Sequence, residues 1–298
     1  MAGTTKYLDP KLLSKLGNME LIARCALQGF FSGLHPSPFH GFSAEFSDHR
    51  QYLPGDELRF LDWKMYGRSN KLYIKQFLQD TNVPVYILLD ASNSMTYRGD
   101  STYDKLDYGR YLSGALTSLM LSQGDSVSLV VFSERVTTRI PLRGRRTHLH
   151  AILTALSRIE PGGRTRLADV LHTFAETATR RGIVILISDL LDDGGDLSSG
   201  LAHLKYLRHD VIVFHTLAHE EITLDFRGAV QFEDLETRER LRTFPESVRE
   251  TYQAKVQDFI DTIEKSSGRS GIDYCLLDTS QSLDRAFLAY LAKRRRLM

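Results

Sequence analysis

Two short runs built almost wholly from aliphatic residues limit what this chain can fold into. Residues 83–89 read Val83-Pro-Val-Tyr-Ile-Leu-Leu89, and residues 183–188 read Ile183-Val-Ile-Leu-Ile-Ser188. Runs this uniformly apolar are what strands covered on both faces look like, and such strands belong to parallel sheets. From residue 83 onward the pattern alternates. Strands are predicted at 83–89, 126–132, 135–140, 183–188, 210–217 and 272–277, and helices at 104–122, 147–158, 166–180, 197–208, 244–266 and 282–293. That alternation predicts an α/β fold, a doubly wound and mostly parallel sheet with helices on both sides. The strands 126–132 and 135–140 are joined by Ser133-Glu134 and read as a hairpin, so one edge strand should run antiparallel.

The first part of the chain is different. Asp9-Pro10 suits a helix start, and Leu12, Leu13, Leu16, Met19, Ile22, Ala23, Ala26 and Leu27 recur at helical spacing up to Gly29. Residues 30–70 are rich in Gly, Pro, His and aromatic residues and read as an ordered but irregular extension, followed by an alternating strand at 71–78. The expected division is a helix with an irregular segment over 1–79 and the α/β domain over 80–298.

Charge excludes some functions. Against 38 basic residues stand 37 acidic ones, a net +1, so no overall field draws the chain to nucleic acid or to a membrane surface. No stretch approaches the ~18 apolar residues that span a bilayer, and Met1-Ala-Gly-Thr-Thr-Lys-Tyr7 has no apolar signal core. Cys25 and Cys275 lie far apart in sequence and read as thiols in a reducing compartment. The expected location is the cytoplasm.

The apolar runs end in chemistry. Asp90 closes the first and opens Asp90-Ala-Ser92-Asn-Ser94, Asp189 closes the second, and Thr165 ends Gly162-Gly163-Arg164-Thr165 ahead of a predicted helix. In an open parallel sheet, ligands bind beyond the carboxyl ends of the strands, where strand order reverses. Asp90 and Asp189 should meet at that edge, with Thr165 in reach. Two carboxylates and three hydroxyls are hard oxygen donors. They suit Mg2+ and Mn2+, with Ca2+ as a further option, and do not suit zinc or copper. Two carboxylates only neutralise a divalent cation, which leaves it ready to accept one more carboxylate from outside. The plain alternative is that the aspartates close strands and the serines cap loops.

At these residues the chain resembles a von Willebrand factor A domain. Asp90, Ser92, Ser94, Thr165 and Asp189 match that family's metal-ion-dependent adhesion site, over a likeness running from about residue 80 to 280. The resemblance implies direct metal contact by Ser92, Ser94 and Thr165, with Asp90 and Asp189 acting largely through bound water. Arg164 departs from the pattern, since a small or hydroxyl residue is common there. Arg50-Gln-Tyr52-Leu-Pro54-Gly55-Asp56-Glu-Leu-Arg59-Phe-Leu-Asp62-Trp63, with Phe42-Ser-Ala-Glu45-Phe46, Arg68 and Lys75, is similar to the signature of bacterial domain-of-unknown-function family fifty-eight. That resemblance implies association with a MoxR-type AAA+ ATPase in assembly or chaperone-like work. By themselves, Arg50, Asp56, Arg59, Asp62 and Trp63 read as a polar network that pins the irregular segment to the sheet, with a second docking surface as the alternative.

Three functions remain open at this level. The first is a non-enzymatic adaptor that binds a partner's acidic side chain through the metal. The second is a metal-dependent phosphatase or phosphotransferase with Asp90 as nucleophile, which would lack the second Asp expected two residues on, where Ser92 stands. The third is a structural module with an empty site. The scattered histidines, including His148-x-His150, and the basic clusters at 143–146 and 293–296 carry no motif.

Overall fold

The computed structural model describes residues 44–52, 61–69, 71–79, 83–122, 124–145, 147–192, 196–281 and 283. They fall into two compact units, the smaller within Leu34–Asn82 and the larger from Val83 onward. The helix expected at 9–29 lies outside the described residues, as does Cys25, and of the helix expected at 282–293 the described residues include 283 alone.

The smaller unit holds β1 (Ala44–Gln51), α1 (Trp63–Ser69) and β2 (Tyr73–Gln79). β1 and β2 pair antiparallel, with a register shift between Phe46 and Asp48. The segment expected to be irregular therefore contains a strand and a short helix. Its strand is the mixed run Ala-Glu-Phe-Ser-Asp-His-Arg-Gln, which has no clean alternation to announce it. Asp62 starts α1 by accepting backbone hydrogen bonds from Lys64 (2.9 Å) and Met65 (3.1 Å) at Oδ1, as a helix-capping carboxylate does. Trp63 meets the edge of the Tyr66 ring and remains exposed. Asp56 and Arg59 lie outside the described residues, and so does the network expected of them.

The larger unit runs β3 (Pro84–Asp90), α2 (Lys105–Ser122), β4 (Ser126–Phe132), β5 (Val136–Arg143), α3 (His148–Ser157), α4 (Leu167–Thr177), β6 (Ile183–Ser188), α5 (Leu197–Tyr206), β7 (Asp210–Leu217), α6 (His219–Thr223), β8 (Val230–Glu233), β9 (Arg240–Thr243), α7 (Pro245–Arg269) and β10 (Asp273–Asp278). The six-stranded sheet has the order β10-β7-β6-β3-β4-β5, and only β5 runs antiparallel to its neighbour. This is the doubly wound sheet with one antiparallel edge. β3 and β6 are buried along their whole length, as the two apolar runs require.

Alternate residues of β3 feed opposite cores. Val85, Ile87 and Leu89 pack with Leu106, Leu112 and Leu116 of α2 and Ile152 of α3. Tyr86 and Leu88 pack with Leu171 and Phe174 of α4, Leu204 of α5 and Ile260 of α7. α2 lies close on the sheet at Gly109, where a Cβ would stand 2.7 Å from Leu89 Cδ1. After β3 the chain crosses to β4 on one side, and it later returns through β6 on the other. The reversal of strand order thus falls between β3 and β6, at whose carboxyl ends Asp90 and Asp189 sit.

Candidate metal centre

Each loop at this edge is tied to the next by the backbone. β3 and β6 pair in parallel up to Leu89 and Ile187, which sets Asp90 beside Ser188. Ala91 N donates to Phe132 O (2.7 Å), fastening the Asp90 loop to the end of β4. Gly162 N donates to Ala91 O (2.9 Å), and Asn93 N donates to Gly163 O (3.1 Å). Gly163 has φ +78°, a conformation that suits glycine, and this turn brings Thr165 toward the Ser92–Ser94 loop. Asp192 Oδ2 accepts from Leu167 N (2.9 Å) and Ala168 N (3.4 Å) and so caps α4 from the loop after β6. The loop after β6 thereby holds the helix that follows Thr165. Asp192 is thus a tether, while Asp193 lies outside the described residues.

All five expected residues converge on this edge. Asp90, Ser92 and Asp189 are 0% exposed and Thr165 is 3% exposed. Asp90 Oδ1 accepts from Ser92 N (2.9 Å), and Oδ2 accepts from Ser188 Oγ (2.6 Å). The hydroxyls of Ser92 and Ser94 are 3.0 Å apart. Burial, and then the neighbouring Asp189 charge, push Asp90 up to about 7. Two carboxylates confined this way are a standing demand for positive charge.

Part of that demand is met by a residue the sequence reading passed over. Lys105, at the start of α2, is fully buried, and its Nζ donates to Asp189 Oδ2 (2.8 Å) and Glu221 Oε1 (2.7 Å). Burial alone would pull the ammonium down, but Asp189 and Glu221 outweigh it and hold Lys105 above its ordinary value. A lysine at a helix start reads as solvated, so only the structure reveals it. His215 is a second such residue. Its Nε2–H donates to Asp189 O (2.9 Å), which leaves Nδ1 to accept from the Tyr274 hydroxyl (2.6 Å). Burial pushes His215 down to about 4, so the neutral ring is the form that fits. Beyond Asp189, Leu190 sits at φ +57°, strained for a branched side chain, and its N donates to Ser188 Oγ (3.0 Å). Leu191 N donates to Asp189 Oδ1 (3.2 Å). Asp189 is thus held from several sides, by Lys105, His215 and the Leu191 amide.

One further acid enters from outside the sheet. Glu236, between β8 and β9, accepts from Thr165 Oγ1 (3.2 Å) at Oε1 and from Thr165 N (3.4 Å) at Oε2. Burial raises Glu236, while hydrogen bonds from Thr165 and Ser94 pull it back.

The donor set fits a hard cation. Mg2+ takes oxygen ligands at ~2.1 Å in an octahedron, whose edge is then ~3 Å, the separation of the Ser92 and Ser94 hydroxyls. Among the described residues, no cluster of three or more His, Cys, Asp and Glu side chains is placed to hold a metal. A cation at this edge would therefore rest on the hydroxyls. Arg164 is exposed and contributes to holding Asp234 of the β8–β9 turn below the usual carboxylate range, behind the backbone hydrogen bond from Thr237. Among the described residues no helix is long and apolar enough to cross a membrane.

Residues 48–259 match the family described as protein of unknown function DUF58. Uncharacterized proteins from Mycobacterium bovis and Mycobacterium tuberculosis are each 28% identical over 234 residues, covering 77% of this chain and 72% of theirs. Among solved structures, the conserved hypothetical protein BatB from Bacteroides thetaiotaomicron is similar at 19% identity with a TM-score of 0.44, over 72% of this chain and 99% of that one. The manganese-loaded TRAP protein of Plasmodium vivax is similar at 19% identity with a TM-score of 0.35, over 46% of this chain and 58% of that one.

Proposed function

The chain belongs to the DUF58 family of proteins of unknown function, and from that premise we propose that it is a metal-dependent protein-binding adaptor without catalytic turnover. The observation that carries this reading is the convergence of the Ser92, Ser94 and Thr165 hydroxyls with two buried aspartates at the reversal point of the sheet. Ser92, Ser94 and Thr165 would hold Mg2+ directly, and Asp90 and Asp189 would hold its water. When bound, the cation supplies a positive point that a partner's carboxylate can ligate. Asp90 and Asp189 contribute charge, Ser188 and Lys105 orient them, and His215 fixes the backbone of Asp189. The partner class is a protein offering an exposed Asp or Glu. A MoxR-type AAA+ ATPase is the partner that the family resemblance implies, with assembly or chaperone-like work in the cytoplasm.

The hydrolase alternative finds less support. A nucleophilic Asp90 would need a free oxygen facing substrate, yet the side chain is buried and both its oxygens already accept hydrogen bonds. Ser92 offers no acid to protonate a leaving group.

The test is partner capture from extract in 5–10 mM Mg2+ against the same buffer with EDTA, on the order used for hard-cation sites of modest affinity. Capture should need the metal and should fall with Ser92→Ala. Equal capture in EDTA by both proteins ends the adaptor reading. Phosphate-ester turnover that Asp90→Asn abolishes would replace it with the hydrolase.

A further inference from the structure

We infer that Glu236 is an internal ligand of this metal site, presented by the β8–β9 hairpin in the place a partner's carboxylate would take. The inference rests on the proposed metal site and names its regulation. Four observations carry it.

First, the contacts of Glu236 are with the right atoms. Both carboxylate oxygens face Thr165, one toward its hydroxyl at 3.2 Å and one toward its amide at 3.4 Å. Thr165 is one of the three hydroxyl residues of the donor set. The 3.2 Å separation of Glu236 Oε1 and Thr165 Oγ1 is close to the ~3 Å between neighbouring ligands on an octahedral cation.

Second, the turn that carries Glu236 is built to hold it. Asp234 Oδ1 accepts from the amides of Glu236 and Thr237, each at 2.7 Å. Asp234 N donates to Glu239 O (2.9 Å), and Arg238 N donates to Asp234 O (2.9 Å). Arg238 adopts φ +65° to close the loop. The strands behind it are cross-braced by Glu233 with Arg240 (2.8 Å) and Arg238 (3.3 Å). A hairpin of two four-residue strands with its own ion pairs and a locked turn delivers one side chain to one place.

Third, the opposite side of the contact has a matching charge. Arg164, immediately before Thr165, acts on Asp234 electrostatically. This is the position where the chain departs from the adhesion-site pattern. A basic side chain there suits a loop that must receive an acidic turn.

Fourth, the hairpin is peripheral. Among the described residues, β8 and β9 form a two-stranded sheet of their own. Leu241 is about two-thirds exposed and neither strand has a buried residue, so the hairpin is not a core element. An exposed hairpin whose turn reaches a buried hydroxyl is a latch, and a partner's acid would have to displace it.

The experiment uses the full chain and Mn2+ alone. Mn2+ binding is measured by calorimetry in wild type, Glu236→Gln and Ser92→Ala, and tryptic cleavage at Arg238, Arg240 and Arg242 is followed with and without Mn2+. Wild type should bind Mn2+, and Mn2+ should slow cleavage in the hairpin. Glu236→Gln should keep the fold, bind Mn2+ about 10-fold or more weakly, and lose the Mn2+ protection. Glu236→Asp, which keeps the charge on a shorter arm, should recover part of both. If wild type and Glu236→Gln bind Mn2+ equally and Mn2+ leaves hairpin cleavage unchanged in both, Glu236 is not a ligand while the metal site stands. If wild type itself binds no Mn2+, the metal site and the internal ligand fall together.

Discussion

Lys105 shows how a single buried charge can hold a site in shape. Its ammonium has no exposure and lies between Asp189 and Glu221. Removing it would leave two carboxylates facing each other without compensation. Breaking one side of a buried pair costs about 3–5 kcal/mol, so Lys105→Met should lower unfolding stability by that much in urea titrations. Glu221→Gln in the same background should recover part of the loss, because one of the stranded charges is then gone. Asp125 gives a residue-scale effect away from the site. It is 5% exposed, its Oδ1 accepts from Val83 N at 3.0 Å, and burial pushes it up to about 7 from 3.8. Between pH ~4 and ~7 the folded chain therefore holds a proton that the unfolded chain has released, so stability falls as pH rises through that window and levels off above it. Asp125→Asn removes this slope while keeping an acceptor for Val83 N. Its stability relative to wild type should climb by about 2–4 kcal/mol from pH 4 to pH 7.5. Parallel pH profiles for the two proteins would refute the shift.

The inner strands of the sheet were readable because they are apolar on both faces, a condition few other structures impose. β4, β6 and β7 fall at 126–132, 183–188 and 210–217, where the pattern places them. The residues of the candidate site were readable for the same reason, since an apolar run that stops at an aspartate marks the sheet edge. What escaped the sequence has a physical cause in each case. β8 and β9 are four residues each, and β9 reads Arg-Leu-Arg-Thr with little burial. A charged, exposed hairpin leaves no periodic signal, so Glu236 is hidden in a run of mixed charge. Lys105 and His215 carry types whose default is solvent or scattered core, and only their neighbours give them roles. The close seat of α2 on the sheet is equally silent in sequence, because Gly109 reads as a weak helix residue. With a Cβ placed 2.7 Å from Leu89 Cδ1 and 3.3 Å from Ile187 Cγ2, Gly109→Ala gains helix propensity yet overpacks the core. The clash should prevail, lowering stability by about 1–3 kcal/mol. A stability gain in thermal or urea unfolding would mean that the helix simply slides outward.

At the scale of the whole larger unit, the site and the core are one construction. The two aspartates stand at the ends of β3 and β6, which are buried throughout, so Asp90 and Asp189 are held near each other only when the sheet is formed. In the unfolded chain they are about a hundred residues apart, like Ser188 and Asp90, whose contact spans 98 positions. A cation that needs both carboxylates and the three hydroxyls thus binds the folded chain and not the unfolded one. Linkage then requires that it stabilise folding, by about 2.7 kcal/mol at a concentration 100 times its dissociation constant. Raising Mg2+ stepwise should therefore move the thermal transition of wild type upward, and the rise should continue logarithmically beyond saturation of the site. Ser92→Ala should flatten that response, because it removes a donor and leaves the sheet untouched. The contrast between the two proteins separates a bound ion from a general salt effect, which would shift both alike. A transition that ignores Mg2+ in wild type would leave Asp90 and Asp189 as strand-closing residues steadied by Ser188 and Lys105, with no adhesion chemistry at this edge.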